Sequence, residues 1–386
     1  MRESIESVEA MKEKITRNMP LIIGIIMIVV LLILPTGYEG AVIYRGTDRC
    51  SALVLETDES RVISSGLIRS GEQTCTIRLL GGKFKGREVE GYNLLSGALE
   101  SDKIFNIGDK AQVVINYRED EILSVNMIDH YRIDKELILV GISCIFLILF
   151  AGKKGIMSIL SFVIAVLMIW KVMIPYTLNG YNPIFIGLAV VIILSFIIIM
   201  FVFGLDRRCM AAVLGSLLGI ITTCLLGCIF TDLFKIHGAV MSYSESLLYA
   251  GFEHLNLTQI FMSSIFIGAS GAVMDIAVDI TSAIYEVVQK KPEIGWKEAT
   301  MSGIHVGQAA LGTMTTTLLL AYSGGYLALL MVFMAQGTPI YNILNYKYVS
   351  AEILDTIVGS IGLVTVAPFT ALASGLLLTK CKKDFT

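Results

Sequence analysis

Two aspartates stand four residues apart in an apolar stretch, GASGAVMDIAVDITSAIYE, which runs from Gly268 to Glu286. On a helix at 100° per residue, Asp275 and Asp279 share one face with small or polar residues. These residues are Gly268, Gly271, Ser282 and Glu286. A carboxylate exposed to hydrocarbon costs about 3 kcal/mol, so the stripe should face protein or water. Neighbouring carboxylates bind hard cations and hold protons well, which predicts a cation or proton site centred on Asp275. The alternative is a structural hydrogen-bonded pair.

The next apolar stretch, SGIHVGQAALGTMTTTLLLAYSGG, is rich in hydroxyl groups. Its candidate binding residues are Gln308, Thr313, Thr315, Thr316 and Thr317. A discontinuous transporter helix uses such a segment, because its freed backbone groups can bind a substrate. Threonine can also return its hydroxyl to the carbonyl four residues earlier and do nothing more. Both interpretations stay open for this segment.

Several glycines are predicted to pack helices closely together. Gly215 and Gly219 form a GxxxG face in GSLLG. The other predicted packing positions are Gly268, Gly271, Gly307 and Gly312.

An enzymatic interpretation rests on four residues, Gly268 to Gly271, which match the GxSG of intramembrane serine proteases. Ser270 would be the nucleophile and His305 the base. Packing alone favours small residues here, and the glycine spacing expected after the histidine is missing. We therefore expect no enzyme, no resident metal and no cofactor.

The composition is that of a membrane protein with one water-soluble insert. Of 386 residues, 55% are hydrophobic and 16% charged, and the charges nearly vanish after residue 135. A net charge of −3 argues against a nucleic-acid partner. We expect a polytopic α-helical protein with about eight transmembrane helices, embedded in lipid.

Lysine and arginine in the loops predict the orientation. Apolar runs occupy residues 21–34, 137–152, 156–178, 183–204, 209–231, 258–288, 304–335 and 356–379. Basic residues concentrate in every second loop, which places both termini in the cytoplasm. The predicted parts are a cytoplasmic tail at 1–19, an anchor helix at 20–38, an extracytoplasmic β domain at 39–131 and a seven-helix bundle at 132–386. The first run is short enough for a signal peptide, but no cleavage motif follows it.

The insert between the first two helices is predicted to be a small β-barrel or sandwich of OB-like size. Short runs such as AVIYRG and AQVVINYR are rich in β-branched and aromatic residues, and glycine-rich turns separate them. Outside the cytoplasm a disulfide between Cys50 and Cys75 could form, and a reduced pair is the alternative.

The chain resembles the YibE/F family of bacterial multi-pass membrane proteins. The two stretches quoted above carry this resemblance, together with LLGGKFKGREVEGYNLLSG, IPYTLNGYNPI and VGSIGLVTVAPFTAL. The resemblance implies a location in the bacterial cytoplasmic membrane, and relatives are often treated as transporters. It implies no particular substrate.

The chain departs from the family pattern near the aspartates. Asp275 matches a GAxMD motif, but Asp279 falls where serine is usual. Gln308 and Ala309 fall where an Arg-Asp pair is common, Thr316 where asparagine is common, and Ser270 where leucine is frequent. The hypothesis is that the gained Asp279 compensates for the lost pair across a helix contact.

The sequence favours a secondary transporter or permease, coupled to protons or another cation, with an unknown small solute or ion as substrate. The alternative is a membrane scaffold whose β domain binds an envelope partner. A homo-oligomer or a membrane partner is compatible with both.

Overall fold

The computed structural model describes residues 19–39 and 46–379. A helix α1 (Met19–Ile33) precedes five strands. The strands are β1 (Thr47–Ser65), β2 (Ile68–Leu79), β3 (Glu88–Ser96), β4 (Lys110–Arg118) and β5 (Glu121–His130). The helices that follow are α2 (Ile133–Ala151), α3 (Lys153–Met168), α4 (Ile174–Leu178), α5 (Pro183–Phe203), α6 (Arg207–Leu233), α7 (Ser244–Tyr249), α8 (Leu257–Lys290), α9 (Trp296–Ser323), α10 (Leu327–Ala335), α11 (Ile340–Leu344) and α12 (Lys347–Thr379).

The chain divides into two compact units. One runs from Tyr38 to Phe146, and the other combines the residues up to Gly37 with those from Leu147 onward. The first unit therefore extends beyond the predicted β domain, 39–131, because it also takes in most of α2.

The strands close into a barrel in the order β1-β2-β3-β5-β4, which selects a barrel over a sandwich. All neighbouring pairs are antiparallel except β3 with β5. This is a five-stranded Greek-key arrangement of OB-like size. Buried residues alternate along β2, at Gln73, Cys75, Ile77 and Leu79, as expected for a strand with one face toward the core.

An amide pair fastens the loop after β3 to the barrel core. Gln73 Nε2 donates to the Phe105 carbonyl at 2.8 Å, and Gln73 Oε1 accepts from the Phe105 amide at 3.0 Å. Asn93 donates to Gln73 Oε1 and to the Lys103 carbonyl. Gln73 and Asn93 are fully buried. Their hydrogen bonds therefore replace those that the backbone of the loop would otherwise make to water.

Both cysteines of the barrel are free thiols, so the structure has the reduced pair and not the disulfide. The strand register explains why. Cys75 stands opposite Thr57 on β1, seven residues from Cys50, which is about 23 Å along a strand. A disulfide needs Cα atoms within about 7 Å. Burial raises the pKa of Cys75 to about 11.

In the part of the chain that the structure describes, six helices are long and apolar enough to cross a membrane. They are Lys153–Leu178, Pro183–Phe203, Arg207–Leu233, Leu257–Lys290, Trp296–Ala335 and Lys347–Thr379. The prediction of eight also counted α1, a shorter apolar helix, and α2, which begins with three charged residues at 134–136. The count of eight therefore stays a prediction, as does the placement of the barrel outside the cytoplasm.

Helices α6, α8, α9 and α12 pack against one another through glycines. A Cβ on Gly215 would lie 2.6 Å from the Thr370 backbone, and one on Gly219 would lie 2.8 Å from Val366. A Cβ on Gly307 would likewise come close to the side chains of Ala367 and Ile280. The long helix Trp296–Ala335 is different, because only 6% of its apolar window is buried within the chain.

Candidate functional site

Asp275 lies near the middle of α8. The helix begins after Asn256, whose side chain accepts a hydrogen bond from the Gln259 amide at 3.0 Å. Asp275 is 18 residues beyond Leu257, which is about 27 Å along the axis. Asp275 is therefore too far from either end of α8 for its own side chain to reach that end. For comparison, a hydrocarbon core is about 30 Å thick.

The stripe that carries Asp275 faces outward from the helix bundle. Gly268, Gly271, Asp275, Asp279 and Glu286 are all exposed. The opposite face of α8 is buried and apolar, with Val273, Ile276, Ala277 and Ile280 all 0% exposed. Among residues 19–39 and 46–379, no helix packs over the acidic stripe. In a bilayer it needs water, an ion or another protein chain beside it.

Glycine leaves room beside this stripe. A Cβ on Gly271 would meet no atom within 4 Å, and the same holds for Gly312 on α9. These two residues were predicted to pack helices, and the structure corrects that prediction. Gly271 lies one helical turn from Asp275, so the open space adjoins the carboxylate.

The threonines of α9 mostly hydrogen-bond to their own helix. Thr313 donates to the Ala310 carbonyl, Thr315 to Leu311 and Thr317 to Thr313, at 3.0–3.1 Å. Thr315 is half-buried, whereas Thr313, Thr316 and Thr317 are exposed. The α-helix runs from Trp296 to Ser323 and is followed by a 3-10 turn at Gly324–Tyr326, so the interruption lies after the threonines and not among them.

Gln308 is exposed on α9, and Asp279 is exposed on α8. Within the described part of the chain, no hydrogen bond joins them. The compensation between Asp279 and the 308–309 region therefore stays a hypothesis.

The serine of the GxSG stretch is occupied within its own helix. The Ser270 hydroxyl donates to the Ile267 carbonyl at 2.7 Å, and the residue is 8% exposed. His305 is exposed on α9 and shares no hydrogen bond with Ser270 among the described residues.

The structure adds two carboxylates that the sequence interpretation missed, Glu352 and Asp355 on α12. They were missed because the last apolar run was taken to begin at residue 356, which left both in a presumed loop. The signal was present in KYVSAEILDTIV, where Val349, Ile353 and Ile357 recur with helical period. That period extends the helix back to Lys347 and places both acids on it.

Tyr322 connects this second pair of acids to the α8 stripe. A Cβ on Gly268 would lie 2.6 Å from the Tyr322 hydroxyl, so α9 touches α8 at the first member of the stripe. Glu352 Oε1, Asp355 Oδ1 and the Tyr322 hydroxyl are each buried, and none has a hydrogen-bond partner among the described residues. Tyr322 therefore lies beside Gly268, seven residues from Asp275, which is about 10 Å along the axis of α8.

Asp275, Asp279, Glu352 and Asp355 all lie in the part of the chain that a family model matches. The sequence model of the YibE/F-like protein family matches residues 139–380, which is more than half of the chain. The chain belongs to the YibE/F-like family. The comparisons with curated proteins and with solved structures gave no significant match.

The family match covers every membrane-length helix and begins after the barrel. The YibE/F-like part of the chain is therefore the helical membrane unit, which contains Asp275, Asp279, Glu352 and Asp355. The insert motif LLGGKFKGREVEGYNLLSG lies outside the matched residues.

Proposed function

We propose that this YibE/F-like protein is a secondary transporter or permease of the bacterial cytoplasmic membrane, coupled to protons or another small cation. One observation carries the proposal. Asp275, near the middle of a membrane-length helix, is exposed beside open space instead of being packed into the core. A carboxylate at that depth is tolerated when water or a cation reaches it.

Asp275 is proposed as the principal ionisable site, because it is the deeper member of the stripe. Asp279 lies one turn further along, and the exposed hydroxyls of Thr313, Thr316 and Thr317 add polar groups on α9. Binding a proton or cation neutralises the carboxylate, which lowers the cost of closing the surrounding helices over it. Releasing the cation requires the site to open to water again.

The proposed topology has eight crossings with both termini in the cytoplasm and the barrel outside. The distribution of lysine and arginine among the loops supports it. In this arrangement the Leu257 end of α8 lies on the extracytoplasmic side of the membrane, and the Lys290 end lies on the cytoplasmic side.

A homo-oligomer is compatible with this proposal. Two copies that face each other across α8 would bring two acidic stripes together, and their repulsion would disfavour the contact unless cations or protons lay between them. Such an interface would line a path with carboxylates from both copies.

Flux into proteoliposomes tests the proposal. Native protein should move at least one member of a panel of cations and small solutes, and Asp275→Asn should reduce that flux by about tenfold or more, because it removes the charge at mid-helix. Glu286→Gln is the matched control, since Glu286 shares the face but lies near the helix end. Native flux that survives Asp275→Asn unchanged would reject the site assignment.

The second proposed function is a membrane scaffold whose barrel binds an envelope component. The barrel favours it, because it is a separate unit with its own core and lies outside the family match. An absence of flux for every cation and solute in the panel, with correctly inserted native protein, would favour this function over transport.

A further inference from the structure

A cavity lies where α6 begins and where α8 and α12 end. Its volume is about 460 Å³, and ligand pockets usually measure about 300–1,000 Å³. Its lining includes Arg207, the first residue of α6, Gln289 in the last turn of α8, and Thr379, the last residue of α12. All three helices are long and apolar enough to cross a membrane. Because the ends of such helices lie among the lipid headgroups, the cavity should open at that level.

Arg208 holds one side of this cavity in place. Its Nη2 lies 2.6 Å from Asp206 Oδ2, and its Cζ lies 4.4 Å from the centre of the Tyr285 ring. Asp206 Oδ1 accepts hydrogen bonds from the amides of Arg208 and Cys209, at 2.9 and 3.1 Å. These contacts join the start of α6 to the end of α8. They also leave the charges of Asp206 and Arg208 compensating each other.

Arg207 supplies the charge that remains. The lining contains two arginines and one aspartate as its charged residues, which gives a net charge of +1. Arg207 is exposed, and no acid among residues 19–39 and 46–379 forms an ion pair with it. A guanidinium group presents paired N–H donors that match two oxygens of a phosphate group. The charged part of the lining therefore favours a phosphate-bearing anion.

The rest of the lining is largely apolar. Val288, Pro292 and Leu378 form an apolar wall together with the ring of Tyr285. A small hydrophilic anion would leave this wall in contact with water. A phospholipid would cover it with the glycerol backbone and the first carbons of its acyl chains, which makes the contact favourable. The lining as a whole therefore suits an amphipathic anion better than free phosphate.

We propose that this cavity binds one anionic phospholipid, whose phosphate contacts Arg207 and whose glycerol backbone covers the apolar wall. In the proposed topology the site faces the cytoplasmic leaflet, where basic pockets between membrane helices bind anionic headgroups. The inference goes beyond transport, because the lipid would hold the ends of α6, α8 and α12 together in a protein that moves nothing.

Native mass spectrometry of the purified full chain in detergent tests the site without any flux measurement. Phosphatidylglycerol is added in steps, and the fraction of protein that retains one lipid gives the affinity. Arg207→Gln should weaken this binding about fivefold or more, because one basic side chain near a lipid phosphate contributes about that factor. Phosphatidylcholine with the same acyl chains should bind native protein more weakly, because its choline cancels the phosphate charge.

Lys154→Gln is the matched control. Lys154 is also exposed near the start of a membrane-length helix, α3, but it does not line the cavity. It removes the same charge and should leave the affinity for phosphatidylglycerol unchanged.

A thermal measurement separates lipid binding from a folding defect. Without added lipid the two variants and native protein should melt at similar temperatures, because both substitutions are on the surface. Phosphatidylglycerol should raise the melting temperature of native protein and Lys154→Gln equally, and that of Arg207→Gln less.

Four results would overturn the proposal. They are undiminished binding to Arg207→Gln, an equal loss in Lys154→Gln, equal affinity for the two lipids, and displacement of the lipid by excess glycerol 3-phosphate. The second would mean that the basic surface attracts lipid without a specific site. The last would mean that the cavity selects a soluble phosphate.

Discussion

Asp102 shows how one half-buried carboxylate can organise a turn in the barrel. It accepts hydrogen bonds from the Ser96 amide at 3.0 Å, the Ser96 hydroxyl at 2.9 Å and the Gly97 amide at 2.7 Å. The Ser96 amide is the largest cause that holds the pKa of Asp102 below its ordinary value of 3.8. Gly97 has φ +86°, a conformation that suits glycine, so the turn depends on both residues.

The lowered pKa of Asp102 predicts a pH dependence for this turn. Because the folded-state pKa is depressed, the stabilisation is present above the ordinary pKa and is lost as pH falls through the folded value. Hydrogen exchange at the Ser96 and Gly97 amides, corrected for intrinsic rates, should be slow at neutral pH and faster in acid. Asp102→Asn should abolish this dependence on pH. A variant that keeps the native pH profile would show that another group controls the turn.

Two pairs of acids in the membrane unit differ in what surrounds them. Asp275 and Asp279 are exposed beside open space, whereas Glu352 and Asp355 each hold one oxygen buried without a partner. A group open to its surroundings can exchange protons or ions quickly, while a buried group is suited to retain one. The same side-chain chemistry therefore lies in two different settings, open at α8 and partly enclosed at α12.

At the scale of helices, glycine serves two separate purposes. Gly215 on α6 allows the backbone of α12 to approach, and Gly271 on α8 leaves space beside a carboxylate. Both residues sit inside helices, where replacing glycine by alanine would otherwise gain up to about 1 kcal/mol. Whether each substitution raises or lowers the free energy of unfolding therefore depends on the atoms around the glycine.

Gly215→Ala and Gly271→Ala form a matched pair that tests this difference. The first should lower the free energy of unfolding by about 1–3 kcal/mol, because the new Cβ would meet the Thr370 backbone. The second should leave it unchanged or raise it, because no atom lies within 4 Å. Thermal unfolding in detergent measures both. Equal losses would show that the Gly271 face is packed against something in the protein as purified.

The sequence predicted the helices well where apolar residues ran without interruption. The run at 183–204 matches α5, Pro183–Phe203, because twenty apolar residues have no stable alternative to a helix in lipid. It failed for the start of α12, where Glu352 and Asp355 interrupt the hydropathy although the helix continues. The helix continues there because its other side, with Ala351, Leu354 and Val358, is buried by the bundle, which the hydropathy of one segment does not encode.

The sequence also located Asp275 and its helix face, but not what that face adjoins. Period and spacing place Asp275, Asp279 and Glu286 on one side of α8. Whether the side packs, faces a cavity or faces outward depends on the arrangement of α5, α6, α9 and α12. That arrangement arises from close contacts such as Gly307 with Ala367 and Ile280, which no single segment reveals.

At the scale of the whole molecule, the chain combines a closed barrel with a YibE/F-like helical unit. Asp275, Asp279, Glu352 and Asp355 all lie in the helical unit. The barrel has its own core around residues such as Phe105 and Ile77, so its stability does not depend on the acids. We therefore expect substitutions at Asp275 to alter ion movement while the barrel stays folded.

Water access to residue 275 tests the central claim most directly. In a background with the seven native cysteines replaced, Asp275→Cys and Leu218→Cys are compared in native membranes. Leu218 is the lipid-facing control, because it is 45% exposed near the middle of α6. A membrane-impermeant, positively charged thiol reagent should modify position 275 at least about tenfold faster than position 218, since thiolate forms only where water reaches it. Equal and negligible reaction at both positions would contradict the account.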